Sequence, residues 1–195
     1  NKRYERSRWL ILVAMLGLAI QFLMQMIYGF RATDDGLGAI INILVYTPCF
    51  TLIAMGIYNI EATHANRKKM NLICGGAFAA ILVTFLAGVY FCNGLHIGNW
   101  LYVMLALYIG DVVYCICMII KEMIKRKNML ETMAATDILP YVRYARASVM
   151  ILMFTAVLTL FAILSTKLLF IVGPLGLVSI FFFVLSFVAL GYNYT

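Results

Sequence analysis

The chain runs in apolar stretches of about twenty residues separated by short polar connections. A bilayer core about 30 Å thick is crossed by a helix of about 20 residues. That ruler places six spans at about 9–30, 37–59, 71–92, 100–120, 147–166 and 168–191. Only Ser165, Thr166 and Lys167 offer a turn between the last two, and one helix over both would be too long to tilt into place. The pattern therefore predicts an all-α fold: a polytopic six-transmembrane-helix bundle forming a single domain over residues 1–195.

Composition agrees, with 65% hydrophobic residues, 12% charged and a mean hydropathy of +0.98 over 195 residues. A soluble domain carries roughly a quarter charged residues. Lys and Arg number 15 against 8 Asp and Glu. They sit in clusters between the apolar runs, so they report orientation and predict no direct nucleic acid contact by this segment. With six alternating spans, Lys2, Arg3, Arg6, Arg8, Arg67, Lys68, Lys69, Lys121, Lys125, Arg126, Lys127, Arg143 and Arg146 share one face. Only Arg31 and Lys167 lie on the other, which by the positive-inside rule places both termini in the cytoplasm. The basic "NKRYERSRW" leads into an apolar run too long for a signal peptide and reads as the flank of a first span. The setting implied is a membrane crossed several times.

The outward connections "RATDDGLG", "CNGLHIGNW" and "STK" are short. No outer domain could catch a large ligand, so whatever is met is small, lipid-soluble or reached within the membrane. The long inner linker, about 121–146, is different. Glu122 with Arg126, and Lys127 with Glu131, stand four apart and extend the fourth helix past the bilayer. Near Thr136, Asp137 and Pro140 a new helix should start.

Asp111 lies about ten residues from both Trp100 and Lys121, close to the bilayer midplane, and is the only acid or base expected there. A charge at that depth costs a few kcal/mol and belongs in a bundle interior or cavity. With no cation to pair with, the carboxyl is expected to be protonated or held by neutral donors. By depth, Gln21, Tyr46, Thr47 and Thr84 are candidate donors, with Gln25 and Asn42 nearer the outer leaflet and Tyr108 one turn before Asp111. Together they would line a ligand-binding chamber among the first four helices. Pro48 would bend the second span at that level, and Gly173 and Pro174 would bend the sixth. Gln, Asn and Thr also serve as plain interhelical glue. A carboxyl is a costly way to make a neutral hydrogen bond, and Asp111 carries the functional reading.

The five cysteines form no Cys-x-x-Cys pair, and no His stands at ligand spacing, so they read as small buried hydrophobes, with no metal site. "YIGD" lacks the first glycine and the second aspartate of a membrane aspartyl protease, and His64 and His96 lie in loops, away from any haem. No enzyme and no cofactor is expected.

The layout of "YNIEATHANRKK", "LYIGDVVYC", the linker with "LPYVRYARAS" and the final "FFFVLSFVALGYNY" resembles the membrane region of Bacteroidetes-type AraC-like transcription regulators. In that family a helical membrane bundle precedes a cytoplasmic helix-turn-helix domain. Similar layouts precede sensor kinases. The resemblance covers the whole chain and implies a sensor or signal-input role, with an output domain following residue 195. The partners implied are the lipid bilayer, a small or lipophilic ligand, the attached output domain and, as an open alternative, a second copy in a homodimer. Two other classes stand beside this reading: a small proton-coupled transporter working through Asp111, and a non-catalytic membrane assembly subunit.

Overall fold

A computed structural model of the chain describes residues 2–29, 34–61, 64–133 and, between 147 and 181, single residues and short runs. The fold is helical, and among the described residues no strand occurs. Four long helices follow in order: α1 (Lys2–Tyr28), α2 (Asp35–Glu61), α3 (His64–Cys92) and α4 (Trp100–Met133). Each is long and apolar enough to cross a membrane, over Glu5–Tyr28, Asp35–Asn59, Asn66–Cys92 and Trp100–Glu122. The chain is a helical membrane protein.

Each helix is longer than the apolar ruler required. α1 begins seven residues before Trp9, α3 takes in Arg67, Lys68 and Lys69, and α4 continues past Lys121 to Met133. Charged residues stop a hydrophobic run without stopping a helix, since Lys, Arg and Glu are good helix formers. The predicted break near residues 134–140 lies outside the described residues. So do much of the fifth and sixth spans, of which the described residues are helical.

Helix ends are set by local chemistry. α1 stops at Gly29, which takes a left-handed φ of 55° and returns its N–H to the Gln25 carbonyl at 3.0 Å. Asp34 caps α2, its Oδ1 accepting from the N–H groups of Gly36 (2.9 Å) and Leu37 (3.1 Å). The other carboxylate oxygen lies 3.4 Å from His96 Nε2, joining the α1–α2 and α3–α4 connections. Between α3 and α4, Asn93 and Gly98 both take φ of 50°. Gly88 lets this turn close: a Cβ there would stand 2.9 Å from Ile97 Cβ and 3.0 Å from Trp100 Cβ.

The chain divides into two compact units, residues 1–119 and 120–195. In the first, α1 and α2 form an antiparallel pair, with Ser7 and Ile11 against Gly56, Gly17 against Cys49, and Phe22 against Tyr46. Small residues let the backbones approach, as expected where lipid supplies no hydrophobic drive between helices. α2 packs in turn on α3. α2 is the central helix: 61% of its apolar stretch is buried, against 39, 22 and 33% for α1, α3 and α4. The outer helices expose Leu16, Ile27, Leu72, Val83, Tyr90 and Tyr102, a surface that suits lipid. In the second unit Gly173 and Pro174 fall in a helical run over 173–179, and the Ser179 hydroxyl donates back to the Leu175 carbonyl.

α2 stays helical through Pro48. Proline has no N–H for the Leu44 carbonyl, so the ladder loses a rung there. The Thr47 hydroxyl donates to the neighbouring Ile43 carbonyl at 2.6 Å, which secures the weakened turn from its side chain.

Candidate functional site

Asp111 projects from α4 into the interior of the first unit and is 5% exposed. Thr51 of α2 reaches it, the hydroxyl donating to Asp111 Oδ2 at 2.8 Å. The second oxygen, Oδ1, is buried with no hydrogen-bond partner among the described residues. Two thiols complete the group. Cys115 follows Asp111 by one turn on the same face of α4, and Cys74 comes from α3; their sulfurs are 3.6 Å apart. The two sulfurs and a carboxylate oxygen all lie within 4.8 Å of one another, and all three residues are buried. Three helices thus deliver one hydroxyl, one carboxyl and two thiols to a single point.

This cluster differs from the predicted chamber, as the positions of the predicted residues show. Gln21 and Asn42 do meet, the Gln21 amide donating to Asn42 Oδ1 at 3.0 Å. They form a separate polar layer, because nine residues of α2, about 13 Å of rise, separate Asn42 from Thr51. Gln25 belongs near that layer, one turn beyond Gln21, buried with neither polar atom of its side chain hydrogen-bonded among the described residues. Tyr46 is fully buried with its ring against Phe22 and Phe50, at centroid distances of 5.8 and 6.1 Å. Thr47 bonds its own helix, as does Thr84, whose hydroxyl donates to the Ala80 carbonyl at 2.8 Å. A threonine that bonds its own carbonyl four residues back has no need of a partner on another helix. Thr84 also stands ten residues, about 15 Å, along α3 from Cys74. Tyr108 is fully buried one turn from Asp111 on α4. The expected hinges Pro48 and Pro174 sit within helical residues.

Sequence reasoning missed Thr51, Cys74 and Cys115. The reading of all five cysteines as small buried hydrophobes holds for Cys49, Cys74 and Cys115, which are free and buried, and not for Cys92 and Cys117; Cys74 and Cys115 also stand at the carboxyl. Part of the signal was present: Asp111 and Cys115 are four apart on one helix, the spacing that puts two side chains on one face. Cys74 and Thr51 carried none, since which residue of a neighbouring helix comes opposite depends on interhelical register. Cys49 is buried against Gly17, while Cys92 and Cys117 are exposed.

Chemically, the arrangement offers a hydrogen-bond acceptor and two soft sulfur donors in a buried site. An acceptor buried without a partner costs about 1–3 kcal/mol, and more if charged. Such a group in a folded chain calls for a ligand, an ion or a water. Compared with protein families, with curated proteins and with solved structures, the chain matches none.

Proposed function

We propose that the chain is the membrane-embedded input domain of a bacterial regulator, receiving a small or lipophilic ligand at the Thr51–Asp111 cluster. In this reading six helices cross the inner membrane, both termini face the cytoplasm, and an attached cytoplasmic domain of the AraC-like helix-turn-helix or sensor-kinase kind carries the output. The observation that carries it is Asp111 itself: a carboxyl held by one hydroxyl, with its other oxygen unpartnered among the described residues, inside four apolar helices. The distribution of Lys and Arg along the chain supports the orientation.

The site is also placed to move something. Thr51 lies one turn beyond Thr47 and Pro48, where α2 has lost a backbone rung. A ligand that engages Asp111 competes with Thr51 for the carboxyl and acts on the central helix at its weakest turn. A bundle with two packings of α2 would then be biased by the ligand's differential affinity for them.

The test uses the chain in lipid nanodiscs, its thermal unfolding followed against lipophilic compounds and small ions. The expected result is a ligand that raises the midpoint of the wild type and has no effect on Asp111→Asn. A compound at 100 times its Kd should add about 2.7 kcal/mol. Uptake of substrate into proteoliposomes driven by a pH gradient would instead make the chain a transporter and sink the sensor reading.

A further inference from the structure

From the geometry of the cluster we infer that Cys74, Cys115 and Asp111 form a binding site for a thiophilic divalent cation of the Zn2+ class. The inference names the ligand of the proposed receptor site, and rests on that reading.

Two sulfurs 3.6 Å apart can both stand about 2.3 Å from one ion, at an S–metal–S angle of about 100°, near the tetrahedral value. The carboxylate oxygen within 4.8 Å of both sulfurs supplies a third ligand after a small rotation of its side chain. A thiol–thiol hydrogen bond, with the Cys74 thiol in reach of the Asp111 carboxyl, would also hold the group together. An ion bound by both sulfurs and Oδ1 would in addition give that oxygen the partner it lacks among the described residues. Two thiolates with one oxygen select a borderline-soft ion and reject Ca2+ and Mg2+, which need six or more oxygens. Three protein ligands leave the fourth tetrahedral position for a water or another small ligand.

Charge supports the same class. When M2+ binds, Cys74 and Cys115 each lose a thiol proton to the aqueous side and each gains a sulfur–metal bond. With Asp111 already ionised, one divalent cation replaces two thiol protons and the charge buried in the bundle does not change; a protonated Asp111 releases a third proton to the aqueous side on ligation. A low-dielectric interior tolerates that exchange, whereas adding an uncompensated cation would be costly. Thr51, donating to Asp111 Oδ2, holds the carboxyl and is a positioning residue. Gly75, Gly76 and Gly110 adjoin Cys74 and Asp111 in the chain, and a Cβ at any of them would meet nothing within 4 Å among the described residues. Cys74 is also only five residues, about 8 Å, from Lys69 at the basic end of α3.

The experiment adds Co2+ to the reduced chain in nanodiscs, with Cys49, Cys92 and Cys117 changed to Ser. The expected result is a sulfur-to-cobalt charge-transfer band with tetrahedral d–d absorption, saturating at one ion per chain and displaced by Zn2+. Cys74→Ser and Cys115→Ser should each abolish it, and Thr51→Val should weaken binding about 10- to 100-fold. X-ray absorption on Zn2+ bound to the unmutated chain needs no altered residue, and should show two sulfurs at about 2.3 Å with an oxygen at about 2.0–2.2 Å. No charge-transfer band with both thiols present, or a zinc shell of oxygen and nitrogen alone, overturns the inference. If Co2+ gives no such band while a lipophilic compound still stabilises the wild type and not Asp111→Asn, the metal assignment falls and the receptor reading survives. If the band forms and proteoliposomes show proton-driven uptake, the metal site stands and the receptor reading falls.

Discussion

Asp111→Leu is expected to make the bundle more stable, by about 1 kcal/mol or more. Leucine keeps the forked shape of the aspartate and removes a buried acceptor that has no partner among the described residues. The Thr51 hydroxyl loses its bond to Oδ2, but it can turn to the Thr47 carbonyl one turn back, as Thr47 itself turns to Ile43. The sign discriminates between roles. A carboxyl serving only as interhelical glue would cost about 0.6 kcal/mol on removal, and up to about 1.7. A carboxyl kept for a ligand burdens the empty bundle, and its loss trades function for stability. Reversible unfolding of the chain in detergent or nanodiscs, without added ligand, measures the difference. A destabilised Asp111→Leu would return Asp111 to a structural role.

Gly56→Val is expected to cost about 3 kcal/mol or more and to lower the yield of folded protein. A Cβ at Gly56 would stand 2.5 Å from Ile11 Cγ1, 3.0 Å from Ile11 Cδ1 and 3.2 Å from the Ser7 carbonyl oxygen. Ile11 is branched at its own Cβ and 3% exposed, so it has little room to turn away. The Ser7 carbonyl belongs to the α1 backbone and can move only with its helix. Separating α1 from α2 also strains the Gln21–Asn42 bond and the Phe22–Tyr46 contact farther along the pair. By contrast Gly75→Val, where a Cβ would meet nothing within 4 Å, should change unfolding by less than about 1 kcal/mol. Equal losses at the two positions would contradict the described α1–α2 packing.

The first four spans were legible because a membrane helix is announced by its solvent: twenty apolar residues in a row have few other uses. Their extensions into charged sequence were less so, since the helix runs on from Lys121 to Met133 where charged residues interrupt the apolar run. That Asp111 faces the interior was legible too, from the cost of a carboxyl in an apolar run, and it is buried. The rotation of the neighbouring helices was not. Each residue turns a helix by about 100°, so equal depth does not mean a shared face. Thr47 and Thr84 matched Asp111 by counting, yet both bond their own helices. Thr51 and Cys74 meet Asp111 and Cys115 because of where α2 and α3 settle against α4. On α3 and α4 that register follows from Gly88 closing on Ile97 and Trp100 and from the Phe91–Trp100 ring stack at 5.8 Å, contacts that no single stretch of sequence displays.

The site exists only where α3 and α4 bring Cys74 and Cys115 together at the buried carboxyl. The most direct measurement keeps those two thiols, changes Cys49, Cys92 and Cys117 to Ser, and treats the chain in membranes with dibromobimane, which fluoresces strongly once it has bridged two thiols. Bright labelling of the pair, absent from either single-cysteine variant, is the expected result. Fluorescence no greater than in those controls, while each thiol alone still reacts with the monofunctional reagent, would show that the two helices do not meet there and that the site does not exist.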